Sequence, residues 1–123
     1  MTATPSILVV EDEPLIAMML EDFLDALGYG LAGSCDNVGD ALGHVERGAF
    51  DAALLDVNLR DGQTSWPIAD ALSAQGRPFV IATGGGNDLV PDRHAGVPIL
   101  SKPYTIDGVR DVFESLLKAQ PAT

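Results

Sequence analysis

Five short apolar runs alternate along this chain with stretches whose apolar residues recur at helical spacing, and that alternation limits the possible folds more than any other feature. Ile7-Leu8-Val9-Val10, Ala52-Ala53-Leu54-Leu55 and Phe79-Val80-Ile81-Ala82 are continuous and rich in branched side chains, as strands buried on both faces require. Leu31 to Ser34 and Val97 to Leu100 read as two further strands, the latter with Pro98 suggesting a strand start or an edge. Between them, Ile16, Leu20, Phe23 and Leu27 form one helical stripe, stopped by Gly28 and Gly30. Val38, Ala41, Leu42 and Val45 form a second, ending near Gly48. Ile68, Ala71 and Leu72 form a third, with Thr64 or Ser65 as its cap, Pro67 in its first turn and Gly76 at its end. Ile106, Val109, Val112, Phe113, Leu116 and Leu117 make a final amphipathic helix. Strands alternating with helices imply an α/β fold, a doubly wound five-stranded parallel sheet covered on both faces. The stretch between the fourth and fifth strands, with Gly84-Gly85-Gly86-Asn87 and Pro91, predicts only a short or weak helix.

At 123 residues the chain amounts to one domain, 1–123, with a core of about 7–117. Its formal net charge of −11 speaks against nucleic acid, whose phosphates select basic surfaces. No apolar run nears the roughly 20 residues of a bilayer span, so no membrane partner is expected. Met1 to Ser6 has neither the basic region nor the apolar stretch of a signal peptide. A single cysteine, Cys35, cannot form an internal disulfide and fits a reducing, cytoplasmic setting.

In a doubly wound sheet, sites form at the carboxyl ends of the strands. There the sequence places Glu11 and Asp12 after the first strand, Asp56 after the third, Thr83 after the fourth, and Ser101 and Lys102 after the fifth. Three carboxylates gathered in one crevice repel unless a cation neutralises them, and Mg2+ is the hard, oxygen-seeking choice. A carboxylate nucleophile, a metal, a lysine and a hydroxyl together suit phosphoryl transfer to aspartate.

Four segments, Val9-Val10-Glu11-Asp12-Glu13-Pro14, Leu54-Leu55-Asp56-Val57-Asn58-Leu59, Ala82-Thr83-Gly84 and Ser101-Lys102-Pro103-Tyr104, together resemble the receiver domain of response regulators, with a flavodoxin-like fold. The resemblance runs from Ile7 to Leu117. It implies that Asp56 is the phosphoacceptor, that Asp12 holds Mg2+ directly and Glu11 through water, that the Asn58 backbone carbonyl is a further ligand, and that Thr83 and Lys102 contact the phosphoryl group. It also implies a cis peptide bond at Lys102–Pro103. The implied partners are a sensor histidine kinase or phosphotransfer protein upstream and a downstream protein, in a two-component phosphorelay. The chain would then be no enzyme beyond its own phosphoryl transfer and dephosphorylation.

Ile99 departs from the family, which usually has an aromatic ring three residues before the lysine. Arg77 to Gly85 partly resembles the atypical FAT GUY subfamily, many of whose members are stand-alone receivers. With Ile99 in place, phosphorylation is expected to act on the segment from Gly84 to His94.

Two other functions compete. A phosphohydrolase with an aspartyl-phosphate intermediate needs an acid two residues after its nucleophile, where this chain has Asn58. A degenerate receiver, never phosphorylated, would not need the full acid set. Among the remaining polar residues, His44 reads as solvated, Glu13 as a dipole complement in the first helical turn, and Cys35 as a small packing residue. Trp66 reads as a neighbour of the site or a cover for apolar surface, and His94 as a loop residue able to act as a base.

Overall fold

In a computed structural model of the chain, residues 4–59, 62–83, 90–101 and 104–118 are described. Strands β1 (Ser6–Val10), β2 (Gly30–Cys35), β3 (Ala52–Asp56), β4 (Phe79–Thr83) and β5 (Ile99–Ser101) form one sheet in the order β2-β1-β3-β4-β5. Every neighbouring pair is parallel. The helices are α1 (Pro14–Ala26), α2 (Val38–Arg47), α3 (Trp66–Ala74) and α4 (Ile106–Lys118). Between β4 and β5 the described residues contain a single 3-10 turn, Asp92–His94, in keeping with the weak helix expected there.

The continuous apolar runs are explained by two-sided burial. Side chains alternate faces along a strand, so Leu8, Val10, Ala53, Leu55, Phe79 and Ile81 pack with Ala41, Val45, Ile68 and Leu72 of α2 and α3. Ile7, Val9, Ala52, Leu54, Val80 and Ala82 pack on the other face with Leu20, Leu24, Val109 and Phe113 of α1 and α4. All five residues of β3 and all five of β4 are buried, leaving no polar position until each strand ends in Asp56 or Thr83.

Local details depart from the expectations in two places. Ser65 stands at the N-cap of α3, but neither it nor Thr64 caps that helix through a side chain; the Ser65 hydroxyl is fully buried and its N–H donates to the Val57 carbonyl at 2.9 Å. Side chains cap two other helices: the Asn37 Oδ1 accepts from the Asp40 N–H at 2.9 Å at the start of α2, and the Thr105 Oγ1 from the Gly108 N–H at 3.0 Å at the start of α4. The fifth strand begins at Ile99 rather than Val97, because the Val97 N–H donates to the His94 carbonyl at 3.1 Å and so belongs to the preceding turn.

Candidate functional site

The strand order reverses direction at β1, which lies between β2 and β3. Connections leave β1 and β3 to opposite sides, opening a crevice at the carboxyl ends of these two strands. Glu11 and Asp12 follow the last residue of β1, and Asp56 ends β3. One oxygen from each of the three carboxylates lies within 4.8 Å of those of the other two. Glu11 is 2% exposed and Asp56 5%, while Asp12 is half-buried at the rim. The Glu11 carboxylate also accepts from the Glu13 N–H at 3.1 Å, which fixes it at the start of α1. Glu13 itself stands at the N-cap of α1 rather than inside the first turn.

The backbone around Asp56 is held on two sides. Asp56 pairs in register with Ala82 of β4, and the Val57 N–H donates to the Ala82 carbonyl at 3.3 Å. Beyond it the chain folds back on itself. Asn58 and Thr64 form an antiparallel bridge, Leu59 N–H donates to the Gln63 carbonyl at 2.8 Å, and Gly62 turns the loop at φ +73°. Asn58, two residues after the acid, is exposed. Thr83, 8% exposed, ends β4 beside Asp56 and pairs with Ser101 of β5. Lys102 and the Lys102–Pro103 bond lie outside the described residues, as do Gly84 to Leu89 of the glycine-bearing connection.

The expectations assigned Tyr104 no role, yet it belongs to this neighbourhood. It is 6% exposed, and its hydroxyl is pushed above its usual range by burial first, then by the negative charges of Glu11 and Asp56. Its place two residues after Lys102 in the fourth matching segment was the available signal. A neutral phenol against two buried carboxylates can donate a hydrogen bond without adding charge.

Other candidates take structural places. His44 is half-buried, not simply solvated, because its ring covers Gly33 of β2; a Cβ on Gly33 would stand 2.6 Å from it. Cys35 is buried, and its thiol is pushed up to about 11 by burial and by Asp40 and Asp36, against a smaller opposing effect of Arg47. Trp66 covers apolar surface by stacking on His94, with ring centroids 6.0 Å apart. His94 is 3% exposed, too buried to serve as a base for a soluble substrate.

Residues 7–90 match the model of the response regulator receiver domain. The chain belongs to that family. The sensor histidine kinase RcsC of Salmonella typhi is 30% identical to it over 112 residues, 87% of this chain but 12% of RcsC; the chain thus spans about an eighth of that curated relative. Among solved structures, SdrG from Sphingomonas melonis Fr1 is 55% identical, covers 95% of this chain and 99% of its own, and superposes with a TM-score of 0.84. The BeF3-activated conformation of SdrG from Pseudomonas melonis Fr1, with the same identity and coverage, gives 0.79. The receiver is therefore a flavodoxin-like domain of two-component signal transduction, carrying a buried acidic pocket of the kind in which receivers bind a divalent cation.

Proposed function

We propose that this receiver, one domain over residues 1–123, accepts a phosphoryl group on Asp56 from the phosphohistidine of a sensor histidine kinase or phosphotransfer protein. The observation that carries this reading is the convergence of Glu11, Asp12 and Asp56, with an oxygen of each within 4.8 Å of the others. Three carboxylates so close, two of them buried, repel strongly unless a cation is shared among them. The donors are all hard oxygens, which fits Mg2+. Asp12 would hold the ion directly, Glu11 through water and Asn58 through its backbone carbonyl, with Asp56 completing the set. When bound, the ion offsets the charge that gathers between acceptor and phosphoryl group.

This chain's residues supply positioning. Asp56 ends β3, in register with Ala82 of β4, and its carboxylate oxygen would form the new P–O bond as the P–N bond of the donor breaks. Thr83, at the end of the neighbouring strand, would donate its hydroxyl to a phosphoryl oxygen. Lys102 follows β5 in sequence and would add a positive charge toward the phosphoryl group. The buried Tyr104 stays neutral beside Glu11 and Asp56 and adds no further negative charge to the pocket. The outcome of phosphorylation would be a changed surface for a downstream protein. The net charge of −11 disfavours nucleic acid, and no described helix is long and apolar enough to cross a membrane. A cytoplasmic setting accords with the unreactive, buried Cys35.

The metal role is tested with a small phosphodonor. Asp12→Ala should lose Mg2+-dependent phosphorylation almost completely and Glu11→Ala only in part, because a ligand through water is the weaker of the two. Undiminished phosphorylation of Asp12→Ala, or of wild type in excess chelator, would contradict it.

A further inference from the structure

Tyr104 is packed where a plain aromatic ring would fill the space as well, so its hydroxyl calls for a reason. It belongs to the apolar cluster between α1, α4 and one face of the sheet, with only 6% of it exposed. Burying a phenol hydroxyl is unfavourable unless an acceptor is buried with it. The sheet brings two acceptors to this face, Glu11 and Asp56. Side chains alternate along a strand, so Asp56 points the same way as Ala52 and Leu54, both members of that cluster. The β1–β2 ladder runs one residue past β1, with the Glu11 N–H donating to the Cys35 carbonyl at 2.9 Å. Glu11 therefore follows Ile7 and Val9 onto the same face. After burial itself, the charge of Glu11 and then that of Asp56 oppose ionisation of the phenol.

The backbone that carries the ring is well anchored. Thr105, the next residue, starts α4: its Oγ1 accepts from the Gly108 N–H at 3.0 Å and its carbonyl from the Val109 N–H at 3.0 Å. Val109 and Phe113 are fully buried in the cluster that holds Tyr104. A Cβ on Gly108 would stand 3.5 Å from Cδ1 of Leu100, so the first turn of α4 sits close on β5. On Glu11, the Glu13 N–H donates to Oε2 at 3.1 Å and orients the carboxylate from the α1 side. A donor at Oε1 would orient it from the α4 side.

We propose that Tyr104 is a positioning residue of the acid pocket, its hydroxyl donating to Glu11 and holding that carboxylate toward Mg2+. The inference rests on the cation reading of the pocket and deepens it. A carboxylate that serves the ion through water depends on its orientation, because one water must meet both. A phenol fixes that orientation as a neutral donor, so the full negative charge of Glu11 remains for the cation; a lysine in its place would offset that charge. The effect of Tyr104 passes through Glu11 and is an effect on affinity.

The test is calorimetric titration of the full chain with Mg2+ alone. Tyr104→Phe keeps the buried ring and removes only the hydroxyl. It should weaken Mg2+ binding by about tenfold, the loss expected when a hydrogen bond to a charged ligand is deleted. Glu11→Ala should weaken binding by itself, and adding Tyr104→Phe to it should change the affinity by less than about twofold, because the two residues act as one unit. No phosphodonor is present, so the outcome is independent of whether Asp56 accepts a phosphoryl group. Equal Mg2+ affinity in wild type and Tyr104→Phe would overturn the role of Tyr104 and leave the cation reading standing. A tenfold loss from Tyr104→Phe in the Glu11→Ala background as well would also overturn it, since the hydroxyl would then act without Glu11. Wild type that binds no Mg2+ would overturn the cation reading and this inference together.

Discussion

At the scale of single residues, the acidic crevice is made by Glu11 and Asp12, which follow β1, and Asp56, which ends β3, with an oxygen of each within 4.8 Å of the others. Glu11, Asp12, Asp56 and Thr83 could be named because each directly follows or ends an apolar run, and strand ends of a doubly wound sheet converge. Tyr104 and His94 escaped because their roles depend on burial by residues far away in sequence: Tyr104 beside Glu11 and Asp56, His94 between Trp66 and Phe79. Two expectations belong here. Cys35 titrates near 11 rather than 9.0, so its thiolate fraction at neutral pH is about a hundredfold below that of an ordinary thiol. Alkylation should be correspondingly slow near pH 8 in the folded chain and rise to ordinary rates in denaturant, as mass spectrometry would show. The Asp70 carboxyl lies below its ordinary value of 3.8, held there by the hydrogen bond from Arg93 and then that from His94. A depressed carboxyl contributes stability that is present above the unfolded value and lost as pH falls through the folded one. Trp66 emission should therefore show an acid transition below pH 3.8 that Asp70→Ala removes, with no Asp70-linked change near neutrality.

At the scale of elements, the five strands and four long helices followed from periodicity, because each buries a continuous or striped apolar surface. Boundaries were less legible where a single hydrogen bond decides them, as at Val97 and Ser65. The Asn37 cap was readable in principle, since Asn37 precedes the stripe of α2 and Asp40 sits three residues on. Helix α2 ends on Gly48 at φ +69°, and a Cβ there would meet the Arg77 guanidinium at 2.7 Å. Arg77 is not free to retreat: it donates to the Phe50 carbonyl and lies over the Phe50 ring at 4.8 Å. Gly48→Ala combines an unfavourable backbone conformation with this clash and should destabilise the fold by about 1–3 kcal/mol. Chemical denaturation would measure it. Gly28→Ala, at φ +86° with open space around it, should cost less than Gly48→Ala because it carries the backbone penalty alone. In α4, Phe113 is fully buried and meets Tyr29 at 6.0 Å. Phe113→Ala should cost about 3–5 kcal/mol, enough to threaten folding of a chain this small.

At the scale of the whole molecule, the fold brings residues 45 positions apart, Glu11 and Asp56, into one acidic pocket by placing β1 beside β3. The sequence pattern predicts that convergence because strand ends of a doubly wound sheet meet in one crevice, and the family resemblance agrees with it. Crowding of carboxylates makes the folded chain a better cation binder than the unfolded one, so Mg2+ should raise its melting temperature, by linkage, in proportion to the logarithm of its concentration once the site is filled. Asp12→Ala should flatten that dependence. The central claim, that the pocket exists to phosphorylate Asp56, is met most directly by intact mass spectrometry with site mapping after incubation with a small phosphodonor and Mg2+. Wild type should gain one phosphate, mapped to Asp56, and Asp56→Asn should gain none. Full phosphorylation of Asp56→Asn at another residue would contradict the claim.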